Sequence, residues 1–364
     1  MARAVSVSAP GGAAGPLRIV VRVHAMPPRH NAGAEHMLTS MLRPLVERGH
    51  DVSVWLSRYT DDREVYEYDG VRVVPLGARL DFGEASRSAD VLVSHLENVP
   101  ATSALARGFG KPFVAVVHNT HLPSFRHMAS GGTALAVYNS HWMQAEAELY
   151  FAEYPHTVRP DRSLIVRPPV VAEDYRATPG DCITLINGNE DKGGDLFWRI
   201  AARMPDRKFL MVKGAYGVQV EPPEPVPNLE VIDHVPGNEM AERVYSRTKV
   251  LLMPSRYESW GRTGVEAMAS GIPVVAHPTP GLCESLGEAG IFADRDDLDA
   301  WLVTLDRLLK PAEWRTASKR ARARSDALDP TAELAAWCEA IEEVAGRGIR
   351  SANRRTARPV SRAA

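Results

Sequence analysis

The sequence predicts an α/β protein of two doubly wound parallel sheets that face each other across a cleft. Short apolar, β-branched runs alternate with amphipathic helical segments along most of the 364 residues. The runs are continuously apolar, which is typical of parallel strands covered on both faces. The length also exceeds the ~250–300 residues at which a single core stops growing, so two such domains are expected.

The predicted strands fall into two series, with helical segments between many of them, such as EHMLTSMLRPLVERGH (35–50) and DLFWRIAARMP (195–205). The first series is RIVVRV, DVSVWLS, VRVVPL, DVLVSHL, FVAVVH, ALAVYNS and SLIVRPPV. The second series is CITLIN, KFLMVKG, LEVIDHV, VLLMPS, PVVAHPT and GIFA. The two series predict one sheet each.

The pattern breaks into Pro, Gly and charge around residues 168–181, which indicates a linker. We therefore divide the chain into five segments. They are a flexible lead (1–16), a first domain (17–170), a second domain (171–332), a helix that we expect to pack back on the first domain (333–345), and an Arg-rich tail (346–364). The tail carries six arginines and no acid, so it is predicted to be disordered and solubilising, with contact to an anionic surface as the alternative.

Composition excludes several classes of protein. The formal net charge of −2 gives no global attraction to nucleic acid or anionic membrane. Three cysteines lie far apart without a CxxC pair, which fits a reducing compartment. No apolar run approaches the ~20 residues of a membrane span, and the lead lacks a signal peptide's apolar region. We expect a cytoplasmic protein, with peripheral membrane contact through the tail as the alternative.

The most informative stretch is ESWGRTGVEAMASGIPVVA, from Glu258 to Ala276. It follows the strand VLLMPS, so a strand-end loop passes into a helix whose first amides and dipole suit a phosphate. Gly261 would let the backbone approach that phosphate, while Glu258 and Glu266 could accept hydroxyls on either side of it. Hydroxyls, diphosphate and hydroxyls together describe a nucleotide sugar. The alternative is a capped helix with acids placed to suit its dipole.

The neighbouring residues favour the nucleotide sugar. PSRYESWGRTGVEAMASGIPVVA resembles the retaining glycosyltransferases of family 4 (glycosyl transferases group 1), which have the GT-B fold. AGAEHMLTSMLRPLVERGHDVSVW, VVHNTHL, AVYNSHWM and INGNEDKGGDLFWRIAARMPDRKFLMVKGAYG resemble further segments of that family. The resemblance implies two Rossmann-like domains and a retaining, metal-independent transfer of a hexosyl unit, with no cofactor beyond the donor. That donor would be a nucleoside-diphosphate sugar, most simply a UDP- or GDP-hexose.

The resemblance also assigns roles to residues. Glu258 would hold donor-sugar hydroxyls and Glu266 the ribose, while His118 would lie near the sugar and the reacting face. The residues whose backbone would meet the diphosphate are Trp260, Gly261, Arg262 and Thr263. Gly33 would meet phosphate or acceptor, although Ala32 replaces its usual partner glycine, and the backbone of Val235 would meet the base. The acceptor stays open among a glycan, lipid, small molecule, protein and modified nucleic acid.

One departure from the family pattern concerns the leaving phosphate. The family's usual lysine is present as Lys192, but Asn187 stands where an arginine is usual, and asparagine has neither the charge nor the planar fork of a guanidinium. We expect Arg262 to replace it, because Arg262 stands at the helix start. Arg256 and Lys213 are the alternatives. Lys192, Arg262, Glu258 and His118 are thus the predicted catalytic residues.

Other patterns predict less. Asp294-Arg295-Asp296 is interpreted as a helix cap, and His118 and His121 lack a third ligand for a metal. No GxGxxG follows the first strand, which disfavours a nicotinamide dehydrogenase. Two rival functions remain: a GT-B nucleotide-sugar 2-epimerase, and a catalytically inactive nucleotide-sugar-binding module, with which Asn187 and Ala32 are consistent.

Overall fold

A computed structural model of the chain describes residues 15–28, 33–58, 61–215 and 217–356, the last ten of these by backbone alone. Residues 1–14, Ala32 and residues 357–364 lie outside this range, so predictions that rest on them stay predictions. None of the described helices is both long and apolar enough to cross a membrane.

The first sheet has the order β3-β4-β2-β1-β5-β6-β7-β8 and is parallel apart from the antiparallel β3–β4 pair. Its strands are β1 (Arg18–Val23), β2 (Asp51–Leu56), β3 (Tyr66–Tyr68), β4 (Val71–Val74), β5 (Val91–His95), β6 (Phe113–Val117), β7 (Thr133–Tyr138) and β8 (Ser163–Ile165). Each run of the first predicted series is one of these strands. The sequence analysis missed β3, a three-residue edge strand that is too short to show a period.

The second sheet has the order β11-β10-β9-β12-β13-β14 and is entirely parallel. Its strands are β9 (Cys182–Ile186), β10 (Phe209–Val212), β11 (Leu229–Ile232), β12 (Thr248–Met253), β13 (Val274–Ala276) and β14 (Ile291–Phe292). They match the second predicted series run for run. The predicted architecture of two parallel, doubly wound sheets is therefore confirmed.

Twelve α-helices in the described part of the chain connect and cover the strands. They are α1 (Gly33–Glu47), α2 (Phe82–Ser88), α3 (Val99–Phe109), α4 (Leu122–Met128), α5 (His141–Glu153), α6 (Gly194–Arg203), α7 (Met240–Arg243), α8 (Arg262–Ala269), α9 (Pro280–Leu286), α10 (Leu298–Leu308), α11 (Pro311–Ala327) and α12 (Thr331–Thr356). We call the first sheet with the helices packed on it the N-lobe, and the second sheet with its helices the C-lobe.

Each sheet separates two apolar cores. In β1, Ile19 and Val21 pack in one core with residues of α1 and α12, whereas Val20 packs in the other with residues of α3 and α5. The C-lobe sheet is likewise buried on both faces. Both faces of the central strands exclude water, which is why these strands are largely apolar at consecutive rather than alternate positions.

The helix α12 follows the second sheet but packs on the first. Trp337 is fully buried in the N-lobe core, and its indole N–H donates to the Met41 carbonyl oxygen of α1 at 2.9 Å. The helix continues to Thr356, so it includes residues 346–356, which composition had assigned to the tail. The exact division into domains stays a prediction.

The order of strands places a topological switch point in each sheet. The chain winds outward from β1 and returns to β5 on its other side, and it does the same at β9 and β12. Loops that leave the carboxyl ends of such neighbouring strands diverge and open a crevice, which is where ligands bind in open α/β sheets.

Candidate active site

Two adjoining cavities lie in the crevice, and the carboxyl ends of both sheets line them. The larger, about 300 Å³, contacts loops after β1, β5, β6 and β7 of the N-lobe. The smaller, about 210 Å³, contacts loops after β9, β10, β11 and β12 of the C-lobe. Both share Gly33, Glu258, Gly261 and Arg262 in their walls.

Every residue assigned to the site from the sequence lines one or both of these cavities. The smaller cavity adds Asn187, Lys192, Val235, Thr263 and Glu266 to the shared residues, and the larger adds His118 and Trp260. Folding therefore brings together residues that are spread along the sequence from Gly33 to Glu266. Proximity alone does not assign their roles, which stay predictions.

The loop between β12 and α8 is shaped by Gly261. Its φ is +80°, a left-handed conformation that favours glycine, and a Cβ there would lie 2.4 Å from Leu282 Cδ2. The helix begins directly after it, at Arg262. The backbone therefore turns sharply before α8, and Arg262 and Thr263 of its first turn line the smaller cavity. Phosphate binding at this turn stays a prediction.

Glu258 and Lys192 form an ion pair at the carboxyl end of the C-lobe sheet. Lys192 Nζ lies 2.5 Å from Glu258 Oε1, and the Ser255 hydroxyl donates to the same oxygen at 2.9 Å. Both charged side chains are mostly buried, with 20% and 15% exposed. A carboxylate offers about four lone-pair sites, so Glu258 can still accept hydroxyls from a ligand.

Glu266 lies at the other end of the turn and is held from two sides. Arg262 Nη1 lies 2.7 Å from Oε1, and the buried Tyr245 hydroxyl donates to Oε2 at 2.6 Å. Glu266 is 4% exposed overall. Its two partners fix the carboxylate in one orientation.

The guanidinium of Arg262 bonds to groups of the protein itself. Besides Glu266, it donates to the Pro169 carbonyl oxygen at 3.2 Å and to the Tyr175 hydroxyl at 3.0 Å. These partners lie in the linker between the lobes. The geometry favours a positioning role, in which Arg262 orients Glu266 and anchors the linker, over the direct phosphate contact that we expected.

The alternative cations are farther from the site or already engaged. Lys213 lines the smaller cavity, but its ammonium lies 2.8 Å from Asp233 and is half exposed. Arg256 pairs with Glu190 at 3.2 Å on the surface and does not line either cavity.

Asn187 does not offer a charge, but it shapes the loop after β9. Its φ is +66°, and its side-chain oxygen accepts from the backbone N–H of Asn189 at 3.3 Å. Asparagine tolerates this left-handed conformation better than most residues. Asn187 therefore stabilises the turn that carries Lys192.

Arg295 is a supporting residue that the sequence analysis misinterpreted. The helix α10 is capped by Asp297, whose side chain accepts from Ala300 N, rather than by the Asp294-Arg295-Asp296 triplet itself. Arg295 is buried and donates to the backbone oxygens of Glu190 and Pro254, the segments that lead to Lys192 and Glu258. It braces the two loops against each other.

Two histidines near the predicted His118 were missed. His24 follows β1 and His95 ends β5, and both lie beside His118, which follows β6. His95 Nδ1 lies 2.7 Å from His118 Nε2, and His24 Nε2 lies 3.0 Å from the buried Glu35 carboxylate. A signal existed: three apolar runs, RIVVRVH, DVLVSH and FVAVVH, each end in histidine.

Burial changes the protonation of the histidines in and around the crevice. Desolvation lowers the pKa of His118 to about 4, and it lowers the pKa of His95 well below its usual range. His36, which lines the smaller cavity, has its pKa lowered to about 4 by burial and then by the nearby charge of Arg262. These rings are neutral at pH 7.

Polar contacts join the two lobes at the crevice. The Tyr257 hydroxyl accepts from the backbone N–H of Thr120 at 2.9 Å. The Glu284 carboxylate accepts from the backbone N–H groups of His141 and Trp142, both at 2.8 Å, at the start of α5.

The His121 ring stacks on Tyr257 rather than facing His118. The described residues include no group of three His, Cys, Asp or Glu placed to hold a metal ion.

Residues 186–311 match the sequence model of a family described as "Glycosyl transferases group 1". A D-inositol 3-phosphate glycosyltransferase of Mycobacterium sp. (strain KMS) is 30% identical over 240 residues, which are 57% of this chain and 54% of that protein. The O-antigen chain mannosyltransferase B of Escherichia coli is 32% identical over 87 residues, 24% of this chain and 23% of that protein. The chain thus spans about half the length, or less, of these curated relatives.

Solved structures share the fold at low sequence identity. The sucrose-phosphate synthase of Thermosynechococcus elongatus superposes with a TM-score of 0.70 at 16% identity, over 90% of this chain and 99% of that one. Anabaena HepE in complex with UDP-glucose superposes with a TM-score of 0.71 at 15% identity, over 89% and 99%. The predicted GT-B fold and the resemblance to group 1 glycosyltransferases are confirmed.

Proposed function

We propose that this chain, which has the GT-B fold and matches the group 1 glycosyltransferases over residues 186–311, transfers a hexosyl unit from a nucleoside-diphosphate sugar to an acceptor hydroxyl. We propose further that the reaction needs no metal and retains the anomeric configuration. One observation carries the proposal: Glu258 and Glu266 line one cavity on either side of the turn that begins α8.

The donor would lie along this turn. Glu266, held by Arg262 and Tyr245, would accept the ribose hydroxyls, and the first amides of α8 would bind the diphosphate with the help of the helix dipole. Glu258 would accept the sugar hydroxyls from the opposite end. The complex of HepE with UDP-glucose supports a donor of this class for the same fold.

Lys192 would stabilise the departing diphosphate. In the described structure its ammonium is paired with Glu258, so a bound donor would insert beside this pair and share the cation. The bond between the anomeric carbon and the phosphate oxygen breaks, the acceptor oxygen bonds to the same face of the carbon, and the acceptor proton passes to the departing phosphate. The protein's contribution is positioning and charge stabilisation.

An inactive nucleotide-sugar-binding module is the second candidate. The observation that favours it is Asn187, a neutral turn-forming residue in the cavity wall at the position where the family resemblance implies an arginine. It predicts donor binding without turnover.

A thermal-shift screen with UDP, GDP, ADP and TDP and their hexoses tests both. A ligand at a hundred times its Kd stabilises the folded state by ~2.7 kcal/mol, which raises the unfolding midpoint. Nucleotide release with an acceptor panel then separates transferase from binding module. The exposed-cation variant Lys208→Ala, at a residue that pairs with Asp181 and lines neither cavity, serves as a control that should bind the donor as the wild type does. The proposal is wrong if no nucleotide shifts the midpoint.

A further inference from the structure

Three neighbouring strands of the N-lobe sheet deliver histidines to one point of the crevice. The strands β1, β5 and β6 are adjacent, and His24, His95 and His118 lie at or just beyond their carboxyl ends. The His24 and His95 rings stack with centroids 5.6 Å apart, and the His95 and His118 rings meet edge to face at 4.8 Å. Of the three, His24 and His118 line the larger cavity, and His95 lies behind them.

The position of His95 is fixed more firmly than that of His118. His95 is the last residue of β5 and is in register with Val116 of β6, so the sheet sets its backbone. His95 is 1% exposed, and its ring stacks with the His24 ring. His118 lies in the loop after β6 and reaches the cavity. The bond of 2.7 Å between His95 Nδ1 and His118 Nε2 therefore ties a loop side chain to a rigid strand.

This bond also determines where each ring carries its proton. Both rings are neutral, so each has one N–H, and one of the two facing nitrogens must donate. If His118 Nε2 donates, His95 Nδ1 must accept, and the single proton of the His95 ring then lies on Nε2. Among the described residues, His95 Nε2 is buried without a hydrogen-bond partner.

The cost of an unpartnered group selects between the two arrangements. A buried N–H without an acceptor is rarer in proteins than an under-satisfied acceptor. In the favoured arrangement, His95 Nδ1–H therefore donates to His118 Nε2, and His95 Nε2 is unprotonated. His118 then accepts at Nε2 and carries its own proton at Nδ1.

We propose that His95 is a positioning residue that holds His118 in its Nδ1–H tautomer, so that His118 presents a hydrogen-bond donor to an oxygen of the ligand in the crevice. The part that concerns catalysis rests on the proposed glycosyl transfer. With its Nε2 lone pair occupied by His95, His118 does not take the acceptor's proton, which agrees with proton transfer to the departing phosphate. His118 binds and orients an oxygen of the donor sugar or of the acceptor.

The tautomer can be measured without any substrate. In protein labelled with ¹⁵N-histidine, long-range ¹H–¹⁵N spectra at pH 7.5 distinguish a protonated Nδ1 from a protonated Nε2, and His118→Gln identifies the His118 signals by their loss. We expect His118 to be neutral and protonated at Nδ1 in the wild type. Protonation at Nε2 in the wild type would overturn the proposal, whatever the variants do.

Two variants of His95 separate the hydrogen bond from packing. His95→Leu removes the donor, and we expect His118 to lose its Nδ1–H preference. In His95→Asn the side-chain amide stands where Nδ1 of the histidine stood, so we expect the wild-type tautomer to return. An unchanged His118 spectrum in a folded His95→Leu protein would also refute the proposal.

Kinetics test the consequence for the reaction. With a nucleotide sugar identified by the thermal-shift screen, we expect His95→Leu to lower kcat at least tenfold with the donor KM nearly unchanged, and His95→Asn to recover most of kcat. A shifted tautomer with unchanged kcat would refute the positioning role. If the wild type binds no nucleotide sugar, the proposed function fails, while the tautomer measurement still decides the role of His95.

Discussion

Changing Glu266 to glutamine tests whether this carboxylate holds a ribose or only supports Arg262. The substitution keeps the shape of the side chain but removes its charge. Arg262, 12% exposed, would lose its anionic partner, and the Tyr245 hydroxyl would face a neutral amide. The variant therefore perturbs stability and nucleotide binding together, and the two effects must be separated.

The stability loss follows from burial. Removing one partner of a buried ion pair costs about 3–5 kcal/mol, because the other charge stays desolvated. Arg262 retains the Pro169 carbonyl and the Tyr175 hydroxyl as acceptors, so we expect the lower end, about 3 kcal/mol. Asp233→Asn is the matched control, since its pair with Lys213 is exposed (88% and 47%) and should contribute little to stability.

Unfolding in urea and isothermal titration with a nucleoside diphosphate give the two measurements. The double variant Arg262→Met/Glu266→Gln removes both charges and should regain most of the lost stability. Its nucleotide affinity is compared with that of Arg262→Met alone. Weaker binding by the double variant would show that Glu266 contacts the nucleotide directly. Equal affinities would refute the ribose assignment, and equal stabilities of Glu266→Gln and Asp233→Asn would refute the burial argument.

Glu258→Gln should fail in a different way from Glu266→Gln. If Glu258 faces the sugar, losing a charge-assisted hydrogen bond costs ~1.5–3 kcal/mol in turnover. Affinity for the bare diphosphate, which has no sugar, should hardly change. A loss of bare-diphosphate affinity as large as that of Glu266→Gln would contradict the assignment.

Three further perturbations have defined outcomes. Lys192→Ala should lower kcat at least tenfold, equivalent to ~1.4 kcal/mol of barrier, and an effect confined to KM would mean that Lys192 only binds the donor. Glu284→Ala removes the acceptor from two N–H groups of α5, so amide exchange at Trp142 should accelerate at least tenfold, given ~1.5–3 kcal/mol for such bonds. An unchanged exchange rate would mean that other contacts hold the lobes together. The folded-state pKa of His118, about 4, lies below its usual 6.5, so the unfolded chain binds more protons between these values. Stability should therefore fall as pH drops from about 6.5 to about 4, and less steeply in His118→Gln; equal slopes would contradict this.

Local patterns determined the elements of the fold and the location of the site. Runs such as RIVVRV and CITLIN could be predicted as strands, because a parallel sheet is buried on both faces and its strands are therefore apolar at consecutive positions. The turn around Gly261 was equally readable, because a strand, a left-handed glycine and a helix start lie within about a dozen residues. The other residues lining the crevice, such as His118 and Lys192, were assigned through the resemblance to the group 1 glycosyltransferases.

Tertiary structure alone decided which of these side chains meet. Lys192 pairs with Glu258, 66 positions away, and Arg262 reaches Pro169, 93 positions away. The bond between His95 and His118 joins the ends of two different strands. Periodicity records whether a residue is buried, not which distant residue it contacts. The order of the strands and the packing between the lobes set those pairs, so the bond from Arg262 to the linker and His95 as a support for His118 emerged only from the folded chain.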